Sequence, residues 1–146
     1  MTLVGTANVL LVEDSPSDVR LFEEALRAHG SQVKLHVVGD GEAALAYVRR
    51  QHPFEGEPTP ELIILDLNLP KKDGREVLSV LKQEPHLRRI PVVVLTTSSA
   101  QADVLEAYDL HANCYVRKPV DLDDFIRAVQ ACEAFWLGVV RLPNQD

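Results

Sequence analysis

Five short apolar runs, spaced almost evenly along the chain, limit the possible folds more than any other feature. They are Val9–Val12, Val33–Val38 (interrupted by Lys34 and His36), Leu62–Leu65, Val92–Leu95 and Cys114–Val116. All but the second are continuous, the pattern of a strand covered on both faces. Between them lie helical stretches. Pro16–His29 carries Val19, Phe22 and Leu26 on one stripe and stops at Gly30. Glu42–Arg50, Gly74–Glu84 (with Pro85 as its stop), Ala100–Leu110 and Asp121–Leu137 follow.

Strand then helix, five times over, predicts an α/β fold with a parallel sheet covered by helices on both sides. Right-handed crossovers and five strands suit a flavodoxin-like, doubly wound sheet of order 2-1-3-4-5. A chain of 146 residues is expected to form one domain, with its core over about 8–137 and a tail over 138–146. The stretch Gln51–Glu61 reads as a Pro-rich, acidic loop, and Leu142–Asp146 as a frayed end.

Charge narrows the function. Fifteen Lys and Arg against 22 Asp and Glu give a net charge of -7, which argues against a nucleic-acid binder that neutralises phosphates. Cys114 and Cys132 make no disulfide framework and read as reduced, buried thiols. Met1–Ala7 lacks a secretion signal, and no apolar run approaches a membrane span, so a soluble cytoplasmic protein is expected. The five histidines are scattered, without metal-ligand spacing, and read as solvent-facing.

The strand ends carry the chemistry. In a sheet of this kind, sites form at the carboxyl ends of strands, near the switch point between strands 1 and 3. Glu13 and Asp14 end the first strand, Asp66 the third, Thr96 the fourth, and Lys118 with Pro119 the fifth. Each has an ordinary reading alone: Asp14 or Ser15 as a helix cap, Asp66 in an Asx turn, Thr96 as a strand residue, Lys118 as a surface charge. Together they place three carboxylates, a hydroxyl and an ammonium around one point. Crowded carboxylates favour a proton or a hard cation, and Mg2+ fits because it takes carboxylates, keeps waters and bridges to phosphate.

In these residues and their order, the chain resembles the receiver domains of two-component response regulators over about residues 8–137. The resemblance rests on Val9-Leu10-Leu11-Val12-Glu13-Asp14, Leu65-Asp66-Leu67-Asn68-Leu69-Pro70 with Asp73-Gly74, Pro91-Val92-Val93-Val94-Leu95-Thr96, and Tyr115-Val116-Arg117-Lys118-Pro119. The acidic loop before Leu62, Leu95-Thr96-Thr97-Ser98 and Phe135-Trp136-Leu137 make it similar to single-domain receivers that serve phytochrome histidine kinases.

The resemblance implies that Asp66 accepts a phosphoryl group from a sensor histidine kinase, and the subgroup points to one of phytochrome type. It implies Mg2+ on Glu13, Asp14, Asp66 and the backbone carbonyl of Asn68. Thr96 and Lys118 would hold phosphoryl oxygens, Pro119 would follow a cis peptide bond, Tyr115 would turn inward as Thr96 moves, and Asn68 and Ser98 would tune loss of the phosphoryl group. Since no effector domain is expected after residue 137, the output would be a protein-binding surface on helix 4, strand 5 and helix 5. A homodimer through that face is expected, with Phe135 and Trp136 as candidate anchors. Two other readings stand beside this one. A haloacid-dehalogenase-type phosphatase needs an acid where Asn68 stands, and a binding-only, degenerate receiver needs a missing site residue.

Overall fold

Strands of Val, Ile and Leu that never alternate with polar residues need an apolar cover on each side, and the helices provide it. The computed structural model describes residues 7–30 and 32–143. Its elements are β1 (Asn8–Val12), α1 (Pro16–Ala28), β2 (Lys34–Val38), α2 (Gly41–Val48), β3 (Leu62–Leu65), α3 (Gly74–Gln83), β4 (Val92–Thr96), α4 (Gln101–Asp109), β5 (Cys114–Arg117) and α5 (Leu122–Glu133). A π-helical segment, Ala134–Val139, continues α5. The strands are all parallel, in the order β2-β1-β3-β4-β5.

Side chains of a strand alternate between faces, and here that alternation sorts two cores. Leu10, Val12, Ile63, Leu65, Val92 and Val94 meet Ala44, Leu45, Val77, Leu78 and Leu81 of α2 and α3. Val9, Leu11, Leu62, Ile64, Val93 and Leu95 meet Phe22, Ala25, Leu26, Phe125 and Val129 of α1 and α5. Complete burial of one such side chain contributes roughly 1.5–3 kcal/mol, so the paired cores fix the strand register and thereby the strand ends.

The helices start at side-chain caps that satisfy otherwise orphaned N–H groups. Ser15 Oγ accepts from Asp18 N, Asp40 Oδ1 from Ala43 N, Asp73 Oδ1 from Arg75 N, and Asp121 Oδ1 from Asp124 N. α4 differs: it has no side-chain cap at Ala100, and Ala107 is its one buried residue. Of α1–α5 it buries the fewest residues.

Several expectations change. Cys114–Val116 was expected to be covered on both faces, but β5 is an edge strand whose residues are half-buried or exposed. His36 is half-buried on the other edge, with its Nε2 3.1 Å from Asn8 Oδ1, so only the remaining four histidines are exposed. Leu142, expected to fray, is 1% exposed; residues 144–146 of that expected tail lie outside the described residues. Trp136 packs against the α1–α5 core and meets the ring of Phe135 edge-on at 5.5 Å, which leaves Phe135 and Val139 as the exposed apolar residues of the last segment. Among the described residues, no helix is long and apolar enough to cross a membrane.

Candidate functional site

Backbone pairing carries on past the strands and sets the acidic residues side by side. Val12 is paired with Leu65. Beyond them Asp66 N donates to Val12 O at 3.1 Å, and Glu13 N donates to Val38 O at 3.0 Å. Thr96 is the last residue of β4, and Lys118 N donates to its carbonyl at 2.6 Å. Ser15 takes the capping role at α1. The Asp14 side chain is therefore free of that duty and exposed, while Glu13 and Asp66 are buried.

Glycine completes the acceptor loop. A Cβ on Gly74 would lie 2.4 Å from Asp66 O and 2.6 Å from Leu67 Cα. A Cβ on Gly41 would lie 2.0 Å from Lys72 O. Both contacts are with backbone, so α3 and α2 can press against the loop after β3 only where no side chain intervenes.

Asp66 is held at both oxygens. Oδ1 accepts from Thr96 Oγ1 at 3.0 Å and from Asn68 N at 3.0 Å, and Oδ2 accepts from Lys118 Nζ at 3.0 Å. The Asx-turn reading of Asp66 is thus also correct, since the same carboxylate does both jobs. Asn68 Nδ2 reaches Thr96 Oγ1 at 3.5 Å. Lys118 Nζ donates to Glu13 Oε1, to Asp18 Oδ2 at 2.9 Å and to Asp66.

Charge is unbalanced here. Glu13, Asp18 and Asp66 hold one ammonium, and Asp14 adds a further carboxylate beside Glu13 and Asp66. Burial pushes the Glu13 carboxyl above its ordinary range, and pairing with Lys118 offsets only part of that. Burial works against the charge on Lys118, but hydrogen bonds to Glu13, Asp18 and Asp66 outweigh it and hold the ammonium well above its usual range.

Carboxylate oxygens of Glu13, Asp14 and Asp66 all lie within 4.8 Å of one another. Three hard oxygen donors, two on buried residues and one open to solvent, fit a small dication that keeps part of its water shell. These residues also answer to the Asp66 chemistry: a carboxylate nucleophile with a hydroxyl and an ammonium beside it.

Glu13, Asp14, Asp66, Thr96 and Lys118 therefore meet, with Ser98 and Tyr115 one step away. Tyr115 Oη donates to Ser98 O at 2.8 Å, and Ser98 Oγ donates to Asp103 Oδ2 at 2.5 Å. One expectation fails: the Lys118–Pro119 peptide is trans, and the cis bond among the described residues is His52–Pro53. Trans is the default even before proline, by roughly 0.5–1 kcal/mol, and the Lys118 side chain reaches Glu13, Asp18 and Asp66 from it.

Sequence reading missed two participants. Asp18 sits in the first turn of α1, where an acidic residue reads as a partner of the helix dipole. Nothing local connects it to Lys118, which is 100 positions away. Arg75, next to Gly74, donates to Asp73, to Asp103 at 2.9 Å and to Glu106 at 2.7 Å. It thereby ties the sparsely anchored α4 to the start of α3. The Ser98 hydroxyl, then Arg75, hold the Asp103 carboxyl below its ordinary range.

Comparison with known proteins agrees with this geometry. The family model described as the response regulator receiver domain matches residues 9–130. The response regulator Rcp1 of Synechocystis sp. PCC 6803 is 53% identical over 135 residues, covering 92% of each chain. The crystal structure of the phosphorylated cyanobacterial phytochrome response regulator RcpA superposes with a TM-score of 0.93 at 45% identity, over 96% of this chain and 100% of that one. The Mn2+-bound form of Rcp1 superposes with a TM-score of 0.90 at 52% identity, over 94% of this chain and 99% of that one.

Proposed function

The chain belongs to the response regulator receiver domains, and from that premise we propose that Asp66 takes a phosphoryl group from the phosphohistidine of a sensor histidine kinase. An Asp66 carboxylate oxygen forms the new bond to phosphorus as the P–N bond to the imidazole breaks. The electron pair leaves on the imidazole nitrogen, and the product is an acyl phosphate. The observation that carries this reading is the buried Asp66 carboxylate, anchored by Thr96, Asn68 and Lys118 at the edge of a three-carboxylate cluster.

Transfer of this kind has a loose transition state, so the protein mainly positions groups and balances charge. Glu13, Asp14, Asp66 and the Asn68 carbonyl would hold Mg2+, which supplies positive charge beside the phosphoryl oxygens. Lys118 offers an N–H to a phosphoryl oxygen, and Thr96 a hydroxyl to another. Asn68 and Ser98, two residues past Asp66 and past Thr96, control how water reaches the phosphoryl group. Asn68 is exposed, and loss of the phosphoryl group by intrinsic hydrolysis follows from water's access on that side. The site calls for one labelling event per cycle, since Asn68 stands where a phosphatase of similar design keeps a second acid. Similarity to the phytochrome response regulator RcpA favours a kinase of phytochrome type as the donor. Labelling by acetyl phosphate with and without Asp66 tests the reading.

The switch runs through Thr96 and Tyr115. In the resting geometry Thr96 Oγ1 is spent on Asp66, and Tyr115 Oη holds Ser98 O. A phosphoryl group adds charge and acceptor oxygens that draw the Thr96 hydroxyl in toward it. The Tyr115 ring then leaves Ser98 and takes the vacated space. Addition of Mg2+ and beryllofluoride is expected to move the Tyr115 ring resonances in an NMR spectrum. Unmoved resonances would remove Tyr115 from the switch.

Leu105 and Tyr108 on α4 and Leu122 on α5 are 53%, 46% and 60% exposed. These apolar groups on the face of α4, β5 and α5 support a homodimer there. Sedimentation of Leu105→Arg is expected to show monomer where the wild type shows dimer. A dimer of unchanged strength would move the interface elsewhere.

A further inference from the structure

Asp18 has no part in the chemistry above, yet it holds one of the three N–H donors of Lys118. All three donors of that ammonium are engaged: on Glu13, on Asp66 Oδ2 and on Asp18 Oδ2. Glu13 and Asp66 belong to the carboxylate cluster that fits a dication, and Asp18 does not. Its backbone is fixed, because Asp18 N donates to Ser15 Oγ at the start of α1. Its side chain is 30% exposed, against 6% for Lys118.

A dication on Glu13, Asp14 and Asp66 repels the neighbouring ammonium and competes for two of its three partners. When Asp66 then bonds to phosphorus, the carboxylate charge that Lys118 held passes to the phosphoryl oxygens. Lys118 has a flexible four-carbon stem and a strongly hydrated head, so it swings toward water unless something on the far side attracts it. We propose that Asp18 is a positioning residue that retains the Lys118 ammonium beside Asp66 while the cluster is loaded. This rests on the phosphoacceptor reading and deepens it.

The test uses the full chain with Asp18→Asn, which keeps the shape and removes the charge. At saturating Mg2+, the maximal rate of labelling by acetyl phosphate is expected to fall on the order of tenfold, the usual scale for losing one charge-assisted hydrogen bond. The concentration of acetyl phosphate giving half the maximal rate stays nearly constant. In a Lys118→Met background, the same substitution is expected to add no further loss, as two residues acting through one contact are not additive. The Lys118 side-chain carbon resonances in the Mg2+-loaded protein should shift to the values of solvent-exposed lysines. Lys118 resonances that do not move, or a rate loss that persists in the Lys118→Met background, would overturn the proposal. A wild-type protein that takes no label would instead sink the phosphoacceptor reading, and the Lys118 resonances would still decide what Asp18 does.

Discussion

Asp66→Asn is expected to abolish labelling by acetyl phosphate in the presence of Mg2+. The amide is almost isosteric with the carboxylate, but its lone pairs are no match for an anionic oxygen as a nucleophile for phosphorus. Folding should survive. The substitution removes one of three carboxylates on a single ammonium and relieves the cluster with Glu13 and Asp14, and Lys118 keeps Glu13 and Asp18 as partners. The change in unfolding free energy is therefore expected to stay within about 1 kcal/mol, because lost pairing and relieved repulsion oppose each other. Mg2+ affinity, read by calorimetry, should weaken on the order of tenfold, which corresponds to about 1.4 kcal/mol for one charged ligand. Undiminished labelling of this variant would shift the acceptor to another residue.

Lys118→Met should have the largest effect on stability. The ammonium is 6% exposed and sits on Glu13 and Asp66, which are 5% and 7% exposed. Removing one side of a buried ion pair leaves uncompensated charge and typically costs about 3–5 kcal/mol. A loss of about 3 kcal/mol is expected at pH 7.5 without Mg2+, since Asp18 and Asp14 are open enough to water to be screened. Millimolar Mg2+ should recover part of it, because a ligand that binds only the folded state adds stability. Labelling should slow by roughly 10²-fold, the usual effect of removing one donor aimed at developing charge.

The pH dependence of this variant follows from the directions of the shifts. Lys118 is held above its usual range, so its contribution in the wild type is complete below the unfolded value and is lost only as pH rises through the folded one. At pH 7.5 it is fully present. Glu13 is also raised, so its ionised form is a burden on the folded state at neutral pH. The deficit of Lys118→Met should therefore shrink as pH falls through the Glu13 titration, where protonation relieves the unpaired charge. Chemical denaturation at several pH values checks this, and a deficit that grows on acidification would contradict it.

Most of the fold could be read from the chain because its signals are local. Continuous runs such as Leu62–Leu65 have no polar face, so they go to the middle of a parallel sheet. The interruptions at Lys34 and His36 marked β2 as less covered, and it is an edge strand. β5 gave no such warning: Cys114-Tyr115-Val116 is apolar, and its place at the other edge is a matter of sheet order rather than of its own sequence. The site was legible for a related reason. Strand order alone puts Glu13, Asp66, Thr96 and Lys118 at one end of the sheet.

What stayed hidden were partners chosen by long-range packing. Asp18 looks like a helix-dipole residue until α1 is laid beside β5. Arg75 looks like a surface charge until α4 lies across α3 and brings Asp103 and Glu106 to it. The end of α5 was hidden too. Phe135-Trp136-Leu137-Gly138-Val139-Val140 has no polar residue to mark a face, so periodicity could not show the π-helical turn that sends Trp136 inward and Phe135 outward.

Peptide mapping of the protein after acetyl phosphate treatment, with the acyl phosphate trapped by borohydride, tests the central claim most directly. The modified residue is expected to be Asp66, and chelation of Mg2+ should prevent its modification. A label on any other side chain, or equal labelling of Asp66 after Mg2+ has been removed, would contradict a phosphoacceptor that works through the Glu13, Asp14 and Asp66 cluster.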